Sequence, residues 1–247
     1  MPPAIPARHR LIVALDLPNA ATALQLVDAI GDAAVFYKVG LELFAAGDGR
    51  QLVDTLKKRG LFVFADLKLF DVPETVARAT AQIAASGADF LTVHGDDSIM
   101  AAAVAAKGDT LKILAVTVLT SLDNDDLHSL GFAVSAQELV LSRAQRAAAV
   151  GCDGVVSSGL EVAVLRRAGG SDLTLVTPGV RAAPKMDDQK RVSTPTEIIH
   201  DGGDYLVVGR PIRDADSPRQ AAQAMQKEIA AALSSIPATP TCGAKNS

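Results

Sequence analysis

The chain has 247 residues, 49% hydrophobic and 21% charged, enough to bury roughly three-quarters of its unfolded surface, which excludes a disordered protein. Aromatics make up 4%, without Trp, which argues against stacking platforms for nucleic-acid bases; the net charge of −4 and pI of about 5.6 give no long-range field for DNA or an anionic membrane. Cys152 and Cys242 lie far apart, in neither a disulfide framework nor a metal-site spacing, and a reducing cytoplasm is expected.

Residues 1–10 (MPPAIPARHR) have no apolar core before the basic pair, and Asp16 interrupts the apolar run that follows. Signal-peptide and membrane-span readings therefore fail, and this stretch reads as an extension. Eight short aliphatic runs follow, at 11–17, 36–41, 61–67, 90–94, 113–119, 154–158, 173–178 and 205–209. Most are nearly continuous in apolar residues, as suits parallel strands covered by helices. Ala-rich amphipathic stretches lie between them, at 20–30, 51–59, 72–86, 98–106, 135–150, 160–168 and 217–233. Eight strands alternating with these helical stretches predict a single-domain α/β protein, a (β/α)₈ TIM barrel over residues 11–233, with a doubly wound open sheet as the runner-up. Residues 234–247 read as a flexible tail. Two polar loops, 121–131 and 181–194, exceed what connection needs and are expected to cover the active-site face.

A barrel of this kind builds its site at the C-terminal strand ends, and the third run is the most polar there. A period of two puts Asp66 and Lys68 on one face and Ala65, Leu67 and Leu69 on the other, so an inward charged face would hold opposite charges in a partly desolvated mouth. The plain alternative is a rim ion pair with Asp71 as a helix cap. Glu74 three residues after Asp71, with Pro73 in the first turn, fits a capping box. Asp16 and Lys38 at comparable points of the first two strands shift the balance toward function. On the opposite side, Thr177-Pro178-Gly179-Val180-Arg181 and Val208-Gly209-Arg210-Pro211 set two arginines where barrels bind phosphate, with glycines for close backbone approach. Gln189 stands in the loop that could close over such an anion. His94 ends the fourth strand without a metal-ligand spacing and reads as a packing residue.

The ordered set Leu15-Asp16-Leu17, Phe36-Tyr37-Lys38-Val39-Gly40, Asp66-Leu67-Lys68-Leu69-Phe70-Asp71-Val72-Pro73-Glu74-Thr75, Leu119-Thr120-Ser121, Pro178-Gly179-Val180-Arg181, Asp188-Gln189-Lys190-Arg191 and Val208-Gly209-Arg210 resembles the orotidine 5′-phosphate decarboxylase family, over about residues 11–230. The short Asp-x-Lys-x-x-Asp centre is shared with related sugar-phosphate barrels; the full ordered set is far more specific. The resemblance implies conversion of orotidine 5′-phosphate to UMP and CO₂, the last step of de novo pyrimidine nucleotide synthesis, with no metal and no organic cofactor. It further implies a homodimer in which Lys38, Asp66 and Lys68 come from one subunit and Asp71 from the other, with Lys68 as proton donor. By the same resemblance Asp16 meets the ribose or base side, Thr75 reaches across the interface, Thr120 and Ser121 meet the pyrimidine, and Arg181, Gln189, Gly209 and Arg210 hold the phosphate. Phe70 and Glu74 depart from the family's frequent His and Asn, so a polar role at the first position and an amide contact at the second do not carry over to this chain.

The chemistry suits these residue types. Loss of CO₂ leaves a carbanion with no cofactor to delocalise it, so a preorganised cation that can also deliver a proton is needed. Removing on the order of 20 kcal/mol of barrier exceeds one ion pair, so remote phosphate binding is expected to drive closure of the 181–194 loop. Two rivals stand beside this reading: a metal-dependent sugar-phosphate decarboxylase or aldolase, whose carboxylate metal ligand would fall where this chain has Lys38, and a non-catalytic phosphate-binding barrel.

Overall fold

A computed structural model describes residues 5–168, 172–180 and 193–236. Eight strands, β1 (Leu11–Ala14), β2 (Phe36–Gly40), β3 (Phe62–Leu69), β4 (Phe90–His94), β5 (Lys112–Val116), β6 (Gly154–Val156), β7 (Thr174–Thr177) and β8 (Tyr205–Val208), pair in parallel in the order 1-2-3-4-5-6-7-8 and close into a barrel through β8 and β1. This is the expected (β/α)₈ architecture. The helices between strands are α1 (Ala20–Ile30), α2 (Leu41–Ala45), α3 (Gly49–Lys58), α4 (Pro73–Ala85), α5 (Asp97–Ala106), α6 (Asn124–Ser129), α7 (Ala136–Val150), α8 (Gly159–Arg167), α9 (Pro195–His200), α10 (Arg210–Arg213) and α11 (Pro218–Ser235). Four of these, α2, α6, α9 and α10, are too short for a periodic apolar stripe. The loop expected at 121–131 contains α6, started by a capping box in which Asp123 and Asp126 each accept the other's main-chain N–H.

The alternation of each strand separates two cores. Outward residues such as Leu11, Val13, Val39, Val63, Leu91 and Leu175 pack under the helices. Inward residues form a second cluster that includes Ile12, Phe36, Phe64, Phe90, Leu114 and Tyr205. A chain with only seven Phe and two Tyr thus spends Phe36, Phe62, Phe64, Phe90 and Tyr205 inside or at the base of the barrel. Their rings meet edge-on or tilted, with Phe36–Phe90 centroids 5.0 Å apart and Phe90–Tyr205 5.1 Å. Such pairs contribute about 0.5–1.5 kcal/mol each beyond area burial. This aromatic plug forces the polar inward positions to the opposite, C-terminal end.

The base is tied by a motif used three times. Gly87-Ala88-Asp89, Gly151-Cys152-Asp153 and Gly202-Gly203-Asp204 precede β4, β6 and β8, and each leading glycine has a left-handed φ of 76°, 91° or 94°. Each aspartate turns back to the preceding strand. Asp89 Oδ2 accepts from Val63 N–H and Lys57 Nζ, both at 2.7 Å; Asp153 Oδ2 accepts from Ile113 N–H at 2.8 Å and Lys107 Nζ at 2.6 Å; Asp204 Oδ2 accepts from Leu175 N–H at 2.9 Å and from Arg166. These clamps stiffen the end remote from the polar mouth. The described part of the N-terminal extension also packs there, with His9 on Phe62 at 4.8 Å and Arg10 Nη1 donating to the carbonyls of Gly203 and Asp204.

The capping box expected of Asp71 and Glu74 is not present. Pro73 takes the first helical position of α4, which makes Val72 the N-cap, one residue later than the expectation required. Among the described residues Asp71 Oδ1 accepts just the adjacent Val72 N–H, at 2.7 Å, while Glu74 pairs with Arg78 on the exposed face at 3.7 Å.

Candidate active site

Inward registers place Ala14 on β1, Lys38 on β2, Asp66 on β3 and Thr92 on β4 at the polar end; Ala14 pairs with Lys38, Lys38 with Phe64 and Gly40 with Asp66. Asp16 follows β1 as the chain leaves the sheet. Lys38 Nζ sits 2.8 Å from Asp16 Oδ1 and 3.2 Å from Asp66 Oδ2, and Lys68 Nζ sits 2.8 Å from Asp66 Oδ1. The order Asp16, Lys38, Asp66, Lys68 is an unbroken chain of alternating charge. Its middle members are the buried ones, with side chains 11% exposed at both Lys38 and Asp66, against 37% at Lys68.

Burial works against the charge on both middle groups. For Asp66 that penalty is outweighed by the fields of Lys38 and Lys68 and by hydrogen bonds from Lys68 and Thr92, so its carboxyl lies below the ordinary range. For Lys38 the nearby Asp66 and Asp16 likewise outweigh burial, and its ammonium is held more firmly than usual. Their partners thus hold the two middle members, Lys38 and Asp66, in their charged forms at neutral pH, fixed in place before any ligand arrives.

Lys68 reaches the array by a route that strict alternation does not describe. Ala65 pairs with Leu91 and Leu69 with Val93, so four steps along β3 match two along β4, and Lys68 takes a left-handed φ of 50°. It is the single non-glycine residue with positive φ among the described residues. The conformation costs on the order of 1 kcal/mol, and it turns the lysine side chain back beside Asp66 instead of continuing along the rim. Sequence alternation had Asp66 inward correctly; for Lys68 the bulge, and not the period of two, supplies the direction.

The array forms one wall of a cavity of about 470 Å³ at the C-terminal mouth. Val116, Val118, Leu119, Val156 and Val180 form an apolar wall, Thr120 stands among them, and Gly209 and Arg210 close the side between β8 and β1. One cavity thus offers two cations, two carboxylates, an apolar surface and a cationic helix start. Arg213, one turn beyond Arg210, donates Nε and Nη2 to the two oxygens of Asp214 at 2.6 and 2.9 Å and Nη1 to the Asp16 carbonyl at 2.8 Å. Behind the apolar wall, Arg143 on α7 donates to the Thr117 carbonyl and lies over the Phe132 ring at 5.5 Å, bracing the segment that carries Thr120. Val180 and Ser193 form an isolated bridge, which brings together the two described ends flanking residues 181–192.

Of the residues singled out in the sequence, Asp16, Lys38, Asp66, Lys68, Thr120, Gly209 and Arg210 share this cavity. Asp71 and Thr75 do not. They line a smaller groove of about 300 Å³ against α4, with Leu67, Phe70 and Ala79. Ser121 is exposed and outside the cavity lining, and Arg181 and Gln189 lie outside the described residues. His94 packs edge-to-face on Phe70 with centroids 5.0 Å apart; burial, then Arg143 and Lys68, lower its pKa and keep the ring neutral. Alternation did not single out Thr92, Gly40 or Arg213. Thr92 was visible as a polar residue in the same inward phase as Lys38 and Asp66, whereas the contact of Arg213 depends on barrel closure and has no local signal.

A (β/α)₈ barrel with an alternating Asp–Lys–Asp–Lys array and a cationic corner beside β8 is, as a class, an enzyme scaffold for a small anionic substrate. The family is specific: the model of the orotidine 5′-phosphate decarboxylase / HUMPS family matches residues 9–225, and the chain belongs to it. Relatives named orotidine 5′-phosphate decarboxylase include one from Methylococcus capsulatus, 59% identical over 91% of this chain and 93% of its own length, and one from Nitrobacter winogradskyi, 51% identical over 92% and 95%. A solved structure of orotidine 5′-phosphate decarboxylase from Lactobacillus acidophilus superposes with a TM-score of 0.80 at 37% identity, covering 90% of this chain and 99% of the other.

Proposed function

We propose that this protein is a decarboxylase that converts orotidine 5′-phosphate to UMP and CO₂. The observation that carries the reading is the ion-pair chain Asp16–Lys38–Asp66–Lys68, at the edge of a cavity whose far side is Gly209 and Arg210. In this reading the phosphate lies at Gly209 and Arg210, with Arg181 and Gln189 joining from the 181–194 loop. Asp16 and Lys38 face the ribose side, and Thr120 with Ser121 meets the pyrimidine.

The bond from C6 to the carboxyl carbon breaks, its electron pair stays on C6, and CO₂ leaves. Lys68 Nζ offsets the developing charge and then gives C6 a proton, which solvent later restores to the amine. In this reading Asp66, held by both lysines, faces the departing carboxylate. The array is preorganised, so little reorganisation is needed during reaction. Lys38 fills the space between Asp16 and Asp66, which favours this chemistry over the metal-dependent sugar-phosphate alternative.

The same reading makes the protein a homodimer with Asp71 acting in the partner's cavity and Thr75 at the interface. Support comes from the placement of Asp71 and Thr75 outside the lining of their own subunit's cavity and from the exposed apolar side chains flanking Asp71 in the chain, Phe70 at 71% and Val72 at 63%. No helix among the described residues is long and apolar enough to cross a membrane. A cytoplasmic location is part of the proposal.

The test is direct. Chelator-treated protein should consume orotidine 5′-phosphate, followed by loss of substrate absorbance; absence of turnover, or turnover only after metal is added, contradicts the assignment. For the shared site, Asp71→Ala and Lys68→Ala proteins should each be inactive and regain activity when mixed under subunit exchange.

A further inference from the structure

We infer that Thr92 is a positioning residue for the reaction: its single hydroxyl locks the orientation of the Asp66 carboxylate to the left-handed backbone turn that aims Lys68. The inference rests on the reading of this cavity as the decarboxylation site. Thr92 is completely buried in the middle of β4. Its Oγ1 lies 2.9 Å from Asp66 Oδ1 and 3.0 Å from the Lys68 main-chain nitrogen.

The chemistry of the three groups fixes the direction of both bonds. An ionised carboxylate only accepts and a main-chain N–H only donates, so the hydroxyl proton must point to Asp66 and an oxygen lone pair must face Lys68. No other arrangement satisfies all three. The bulge explains why this position needs a hydroxyl. Between the pairs Ala65–Leu91 and Leu69–Val93, β4 has one residue, Thr92, opposite the three residues 66–68 of β3. Regular ladder pairing is lost across this step, and a buried N–H without an acceptor is costly. The Thr92 side chain accepts that N–H in place of a strand carbonyl.

One atom therefore reports on two features at once. Asp66 Oδ1 also receives Lys68 Nζ at 2.8 Å, so Thr92, the Asp66 carboxylate and the ends of Lys68, main chain and ammonium, close a small hydrogen-bonded ring. Removing the hydroxyl frees the carboxylate to rotate and releases the strained turn, moving the ammonium from its place relative to the reacting carbon. The phosphate end of the cavity, on β8 and α10, is untouched by the change.

The experiment compares Thr92→Val, which keeps shape, with Thr92→Ser, which keeps the hydroxyl, measuring kcat, KM and UMP affinity for each. Thr92→Val should lower kcat on the order of 10- to 100-fold, the effect expected of a hydrogen bond to a charged group, with UMP affinity retained. Thr92→Ser should restore most of the rate. A wild-type kcat in Thr92→Val, or a Thr92→Ser enzyme as slow as Thr92→Val, overturns the inference. Should the valine protein fail to fold, Thr92→Ala removes the same hydroxyl without adding bulk and is read by the same criterion. An inactive wild type contradicts the reaction assignment and this inference with it; an active wild type beside an equally active Thr92→Val contradicts the inference alone.

Discussion

Arg213 donates through Nη1 to the main-chain carbonyl of Asp16 at 2.8 Å, joining the helix after β8 to the loop after β1 across the seam where the barrel closes. The fork is held in place by Asp214, whose two oxygens take Nε and Nη2. Because Asp16 Oδ1 holds Lys38, a displaced Asp16 loop disturbs the first link of the charge array. Arg213→Met, which keeps the stem and removes the fork, should lower kcat/KM on the order of tenfold, the loss of one charge-assisted hydrogen bond. Arg213→Lys should recover little, since an ammonium cannot bridge Asp214 and the Asp16 carbonyl in the same plane. Steady-state kinetics of both variants check this.

Gly40 ends β2 directly behind the ion pair. A methyl group there would lie 3.2 Å from Asp16 Oδ1 and 3.3 Å from Lys38 Nζ, so either side chain must give way by a few tenths of an ångström. Its φ of −93° is open to alanine, so the backbone itself tolerates the change. Gly40→Ala should therefore lower turnover on the order of tenfold while the thermal midpoint shifts by only a few degrees, because small misplacements at a preorganised site are costly to rate. Equal losses of stability and activity would point to a packing effect instead.

The charge array also has a pH signature. Asp66 has a depressed carboxyl pKa, so its contribution to stability is present above the unfolded value, about 3.9, and is lost as pH falls through the folded one. Lys38 has a raised pKa, so its contribution is present below about 10.4 and is lost as pH rises past the folded value. Between these limits neither group titrates. Urea midpoints of the wild type and Asp66→Asn should differ by a constant amount across neutral pH and converge below pH of about 4.

At the other end of the barrel, Asp153→Ala should destabilise the fold by about 2 kcal/mol, since Ile113 N–H and Lys107 lose a shared, partly buried acceptor. Asp54→Ala, which breaks only the exposed pair with Arg50, should cost under about 0.5 kcal/mol. Denaturant unfolding of the two variants separates a structural clamp from a surface ion pair.

The barrel was legible in the sequence because each strand is a short, nearly continuous apolar run and the long helices carry wide apolar stripes. What local patterning missed has identifiable causes. Helices α6 and α9 are six residues each and rest on capping boxes at Asp123 and Thr194, so no periodicity announces them. Asp71 and Glu74 have capping-box spacing, but Pro73 shifts the helix start by one residue. The Gly-x-Asp clamp before β4, β6 and β8 is plain in the sequence, although its partners, an N–H of the preceding strand and a cation (Lys57, Lys107 or Arg166) on the segment before that strand, become apparent only in three dimensions. Asp16, Lys38 and Asp66 were legible as polar strand ends. Lys68 was legible as a residue and not as a geometry, because its orientation comes from a bulge paired with Thr92.

The most direct measurement is the turnover of orotidine 5′-phosphate by Lys68→Ala alongside its affinity for UMP. If Lys68 stabilises the carbanion and delivers the proton, decarboxylation should fall by several orders of magnitude while UMP binding stays measurable, because Gly209, Arg210, Asp16 and Lys38 remain in place. A Lys68→Ala enzyme that turns over substrate within about tenfold of the wild type would contradict the account, since removing a group acting only in the transition state must lower the rate.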